Sequence, residues 1–243
     1  MYTRRSVIQG IGLASVLPVC ANAQAQPSAT DRKAIEDWIN DPAHARFFDP
    51  PNVSETQRGS LILRPGSPDV SWAANYMAQL PTNLQPIDLA KRMMQTIPAR
   101  YIMEWPPDTP GHRRPANPLI VAFFAATRTE PFQGDETAWC AAFACWTLKH
   151  SGRPYPNSAG SASFRDFSAL PSTVDPQVGD LVVFKHRNRP ANGHVAYFDG
   201  FTDATKGRVW CVGGNQGNRI SRVSFAVAHS EMFVHSYRSV PHN

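Results

Sequence analysis

Cys140, His194 and Asn215, in that order along a chain of 243 residues, are the side chains with which a protein performs nucleophilic acyl transfer. A cysteine attacks as its thiolate, and a free thiol with a pKa of about 8.5 is mostly protonated at neutral pH. A helix N-terminus and a neighbouring imidazole both favour the anion. Cys140 meets the first condition if Asp135, Glu136 or Thr137 caps the helix that carries it. Cys145 lies about 140° further round the same helix and past its first turn, which makes it the weaker candidate. His194 heads an expected strand directly after Asn192-Gly193, on one face with Ala196 and Phe198. Taken singly it reads as a structural histidine. Asn215 follows Val212-Gly213-Gly214 and, taken singly, reads as a turn residue in a glycine-rich loop. Their succession, on a helix start and two consecutive strands, raises the three together as nucleophile, base and orienting residue.

The elements that would position these residues fall into two halves. Residues 137–150 form the clearest helix, because Trp139, Phe143 and Trp146 make one apolar stripe and Gly152 is placed to end it. Earlier helical patterns occupy residues 30–40, 70–80, 87–98 and a stretch from Leu119. A short strand is expected at 61–63, and five prolines between 105 and 118 make that stretch irregular. After Pro176 the period changes to two. Residues 180–185, 194–198, 208–212, 220–225 and 232–237 read as five strands joined by Asn-Gly, Asp-Gly, Lys-Gly and Gly-Asn turns. Helices first and an antiparallel sheet second make the fold class α+β.

Composition frames the same picture. Hydrophobic residues are 42% and charged residues 18%, as in a globular protein, and no apolar run reaches the ~20 residues of a membrane span. The 22 prolines and 15 glycines point to long irregular connections. Thr3-Arg4-Arg5-Ser6-Val7-Ile8, an apolar core from Val7 to Val19 and Ala21-Asn22-Ala23 read as a twin-arginine secretory leader over residues 1–25, hence a periplasmic or secreted location. Losing Arg4 and Arg5 with that leader lowers the formal charge from +5 to +3. No basic stripe interleaved with aromatics suggests nucleic acid as a partner. Three cysteines remain after cleavage, and Cys145 and Cys211 read as buried thiols because both sit in apolar segments, with a disulfide between them as the alternative. No cysteine or histidine spacing suggests a metal, and no cofactor is expected.

Glu136-Thr137-Ala138-Trp139-Cys140-Ala141-Ala142-Phe143, then Val178-Gly179-Asp180-Leu181-Val182-Val183-Phe184, then Gly193-His194-Val195-Ala196, then Gly213-Gly214-Asn215-Gln216 follow one another as in the CHAP and NlpC-type cell-wall hydrolases. The chain resembles these families over about residues 86–240. Residues 86–243 are therefore taken as the hydrolase domain and 26–85 as an N-terminal extension of unassigned role. The resemblance implies a papain-like fold and hydrolysis of an amide bond in peptidoglycan, by an amidase or a stem endopeptidase. Cys140 would be the nucleophile, His194 the general base and acid, and Asn215 the orienting residue, with the Cys140 N–H helping to hold the oxyanion. Many CHAP members carry an acid just before the final Asn, where this chain has Gly213-Gly214. Trp139, beside the nucleophile, and Ser161, in the small-residue run 158–163, are assigned to the substrate, with a flexible surface loop as the alternative for that run. The run 185–189 reads as a solvated hairpin loop, with contact to a wall anion as the alternative. A protein or ester substrate, and a catalytically silent wall-binding module, remain the competing readings of the whole.

Overall fold

The structure is a computed structural model that describes residues 67–105 and 116–242. The leader, the helix at 30–40, the strand at 61–63 and most of the proline-rich stretch lie outside the described residues. Four helices occur among the described residues: α1 (Pro68–Ala78), α2 (Pro86–Thr96), α3 (Pro118–Phe123) and α4 (Cys140–His150). The first three begin with proline, whose fixed φ suits the first helical position and whose missing N–H costs nothing there. Ser67 and Asn117 add side-chain caps to α1 and α3.

Helix α4 has no side-chain cap, and it starts at Cys140 rather than near residue 137. Asp135 and Glu136 belong instead to a separate 3-10 turn, Gly134–Glu136. The Asp135 carboxylate accepts the backbone N–H groups of Trp105 and Asn117, so it ties loops together and caps nothing on α4.

Six strands follow: β1 (Ser172–Thr173), β2 (Leu181–His186), β3 (Gly193–Phe201), β4 (Arg208–Gly213), β5 (Ser221–Ala226) and β6 (Met232–Arg238). They form one antiparallel sheet in the order β1-β6-β2-β3-β4-β5. The five expected strands are all present. β1 is additional, and with two residues it offers no alternation for a period to register. The α+β class expected from the sequence is the class observed.

The sheet curls strongly. Phe184 of β2 and Phe225 of β5 have ring centroids 5.2 Å apart although β3 and β4 separate their strands, and the Val234 N–H donates to Val227 O to join the end of β5 to β6. The inner face holds Val182, Phe184, Ala196, Phe198, Val209 and Cys211. The outer face, with Leu181, Val183, Val195, Tyr197 and Val212, packs on the helices in one larger core. Helix α1 is part of that core through Ala73, Met77 and, just beyond its end, Leu80. The last part of the 26–85 stretch is therefore packed onto the helices that follow it. No helix among the described residues is long and apolar enough to cross a membrane.

Candidate active site

Cys140 is the first residue of α4, where backbone N–H groups have no partner within the helix. The helix is fixed over the sheet from below by Thr147, whose hydroxyl lies 2.6 Å from the Tyr197 hydroxyl of β3, both fully buried. Its start is seated on the end of β4. A Cβ on Gly214 would lie 2.5 Å from the Trp139 ring and 2.7 Å from Phe143 Cβ, so only glycine lets the strand end approach that closely. β4 pairs with β3 only from Val212 onward toward Phe201, leaving Val195 without a β4 partner. The Val195 N–H instead points at the Cys140 thiol, together with the N–H groups of Ala141 and of Cys140 itself. The thiol thus occupies the gap where β4 parts from β3, one residue along the chain from His194.

His194 is buried on β3, between Phe184 of β2 and Phe225 of β5, with ring centroids 6.0 and 5.4 Å away. Gly193 before it passes so close to β2 that a Cβ would lie 2.0 Å from Phe184 O, which accounts for the glycine of the Gly-His pair. The Nε2–H of the imidazole donates to Gln216 Oε1 at 3.2 Å. The Gln216 amide cannot turn over without loss, because its Nε2 donates to Cys211 O and Ser221 O. With Oε1 facing the ring, Nε2 must carry the proton and Nδ1 keeps its lone pair. No hydrogen bond joins the thiol to the imidazole among the described residues.

Burial pushes the Cys140 thiol up from its ordinary value, against the three N–H groups that favour the anion. Burial likewise pushes the His194 imidazole down to about 4, while the Gln216 bond works in the opposite direction. At neutral pH both groups are uncharged.

Three expectations about site residues change here. The side chain on the imidazole is Gln216, not Asn215. Asn215 has φ of 56°, a left-handed turn conformation that asparagine tolerates, and that turn is what brings its neighbour back onto the sheet. Trp139 is fully buried, with its Nε1–H donating to Glu104 Oε1 at 2.8 Å, so it anchors the start of α4 and cannot line a substrate cleft. Ser161 opens the 3-10 turn Ser161–Phe164 and is buried too, and its hydroxyl makes no hydrogen bond to the other described residues. Glu104 was missed because it lies just before the proline-rich stretch, far from Trp139 in sequence, with nothing local to mark it.

Cys145 is fully buried, its thiol donates to Ser158 O, and burial pushes it up to about 11. Cys211 lies on the inner face of the sheet, away from Cys145, and all three described cysteines are free thiols. The segment that carries the thiol, the imidazole and the glycines that seat them is contiguous in sequence, and it has relatives. Residues 132–215 match the CHAP domain. No curated protein and no solved structure matches the chain. The CHAP match includes Cys140, His194 and Asn215 and stops one residue before Gln216. It also leaves out Glu104, Phe225 and helices α1 to α3, which hold the CHAP segment in place from outside.

Proposed function

We propose that this chain is an exported cysteine hydrolase that cleaves an amide bond in the peptide part of bacterial peptidoglycan. The observation that carries this reading is the Cys140 thiol at the start of α4 against the N–H of Val195, the residue that follows His194, whose imidazole Nε2 is held by Gln216. Nδ1 of His194 takes the thiol proton as sulfur attacks the carbonyl carbon, giving a tetrahedral oxyanion near the orphan N–H groups of the helix start. The proton then passes from Nδ1 to the leaving amine, the C–N bond breaks, and a thioester remains on Cys140. Water, deprotonated by the same Nδ1, releases the acid and restores the thiol. Gln216 keeps the tautomer and ring orientation constant throughout. The CHAP match supports the wall as target, and the resemblance of residues 1–25 to a twin-arginine leader supports export.

The test is digestion of purified peptidoglycan by the chain and by Cys140→Ala, with products identified by mass spectrometry. New stem fragments from the unmodified chain alone are expected, and they would name the bond. Intact sacculi from folded protein, across several wall types, would refute the wall substrate.

A further inference from the structure

The hairpin that leads into His194 also carries a group of cations that make no ion pair, with Asp166 as the acid within range of Arg165. Three ion pairs occur elsewhere among the described residues: Lys91 and Arg222 with Asp199, and Arg100 with Asp69. Among the described residues Arg165, Lys185, Arg187 and Arg189 make no ion pair. All four lie at the β2–β3 hairpin or against it.

Arg165 is held there by geometry. Its Nη1 donates to Pro190 O and its Nη2 to Asn192 O at 2.8 Å, and Nη2 lies 3.0 Å from where a Cβ on Gly193 would stand. A guanidinium is thus fixed against the backbone directly before His194. The chain reaches this point from Ser158, whose carbonyl accepts the Cys145 thiol of α4, through the 3-10 turn that holds Ser161. That segment runs from the helix of the nucleophile to the hairpin that feeds the imidazole, so its end borders the same site.

Two further groups belong with Arg165, since its charge and that of Lys185 both reach His235. Lys185 is the last β2 residue to pair with β3, opposite Gly193. His235 is the extra residue of β6, left over where the β2–β6 register jumps from Val183↔Ser236 to Phe184↔Val234, and it is exposed. Burial and the charges of Arg165, Lys185 and Arg238 all push its imidazole down, and the acid within range is Asp166. Arg238 donates to the carbonyls of Phe164 and Arg165 and is itself buried, whereas Arg165 uses one N–H of each Nη on the hairpin carbonyls and keeps the second of each, with Lys185 and His235, for a ligand.

We propose that Arg165, Lys185 and His235 form a subsite that takes a carboxylate of the substrate peptide next to the bond attacked by Cys140. This rests on the wall-peptide reading above and narrows it to stems with a free carboxylate on that side. A fixed guanidinium beside an ammonium suits a planar carboxylate, which can accept from both at once. An uncharged His235 adds a neutral donor.

The experiment uses Cys140→Ala, which binds without turnover, and two probes: a wall stem tetrapeptide with free carboxylates, and the same peptide with every carboxylate amidated. The acid should bind about tenfold more tightly than the amide, as expected for a charge-assisted contact at a partly open site. Lys185→Gln and Arg165→Gln, each added to Cys140→Ala, should remove that preference. Arg165 also braces the hairpin, so Lys185→Gln keeps the test decisive if the other variant unfolds. Equal affinity for both peptides, or a preference that survives in Lys185→Gln, would overturn the proposal. Failure of both peptides to bind overturns it as well, and digestion of whole sacculi by the unmodified chain then decides separately whether the wall reading stands.

Discussion

Gln216 and Asn215 are adjacent, and their substitution should separate them cleanly. Gln216→Ala frees the imidazole to adopt the other tautomer and is expected to lower kcat by about 10²-fold, within the range for general-base catalysis. Asn215→Ala should leave kcat within a few fold and cost some stability, since alanine resists the left-handed conformation. Steady-state kinetics beside a denaturation curve reads both. Cys140→Ala and His194→Ala should each abolish turnover in a folded protein, whereas Cys145→Ala should not. Turnover lost in a folded Cys145→Ala and kept in Cys140→Ala would reverse the nucleophile assignment.

The buried imidazole also sets a pH dependence. His194 is neutral until pH falls to about 4, so kcat/KM should hold well below 6.5 and decline only as the ring protonates. Stability moves in the same direction. The unfolded chain takes up a proton below 6.5 and the folded chain not until about 4, so stability is intact above 6.5 and falls across that window, by roughly 3 kcal/mol at its end. Urea midpoints at pH 7 and pH 4.5 should differ accordingly, and His194→Gln should flatten the difference.

At the scale of elements, the site depends on two close approaches, Gly193 against the Phe184 carbonyl and Gly214 against the start of α4. Gly214→Ala would drive a methyl into Trp139 and Phe143, and the overlap should cost roughly 1–3 kcal/mol in a denaturant titration while displacing the start of α4. The helix of Cys140 and the strand of His194 were legible in the sequence because periodicity and apolar stripes are local signals. The contacts that finish the site are not local. Trp139 beside the nucleophile looks like a cleft residue until Glu104, from the far side of a proline-rich stretch, is found on its indole N–H. Gln216 was hidden by its neighbour, since the Gly-Asn pattern announces a turn but not which side chain the turn returns to the sheet. Asp180, in the Gly-Asp pair before β2, is likewise explained only by distance. Its carboxylate accepts the Gln177 and Val240 N–H groups, fastening the end of the chain to the start of the strand.

At the scale of the molecule, the CHAP segment is not packed alone. Helix α1 buries Met77 and the following Leu80, and Asp69 accepts from the Tyr101 hydroxyl and Arg100. A chain beginning at residue 86 loses these contacts and should be less stable by about 5 kcal/mol, given ~1.5–3 kcal/mol for each large buried side chain. Thermal unfolding of chains beginning at 67 and at 86 measures this. The second long-range tie is Asp199 on β3, joined to Lys91 of α2 and Arg222 of β5 at 2.5 Å each. Burial alone would raise its carboxyl, but the hydrogen bonds and charges of Lys91 and Arg222 outweigh that and hold it below the usual range. Its contribution is present at neutral pH and fades as acid protonates it, adding to the acid lability set by His194.

The uncharged thiol and imidazole make the resting protein chemically quiet. Cysteine hydrolases that store a thiolate are alkylated rapidly at neutral pH. Here a haloacetamide should modify Cys140 slowly at pH 7 and faster only as pH rises past the ordinary thiol value of about 8.5, as read by intact mass. The same reserve would spare the sulfur from peroxide between turnovers. On the proposed function such a site is armed by its substrate, and an irreversible inhibitor for it would need to resemble the peptide before its warhead mattered.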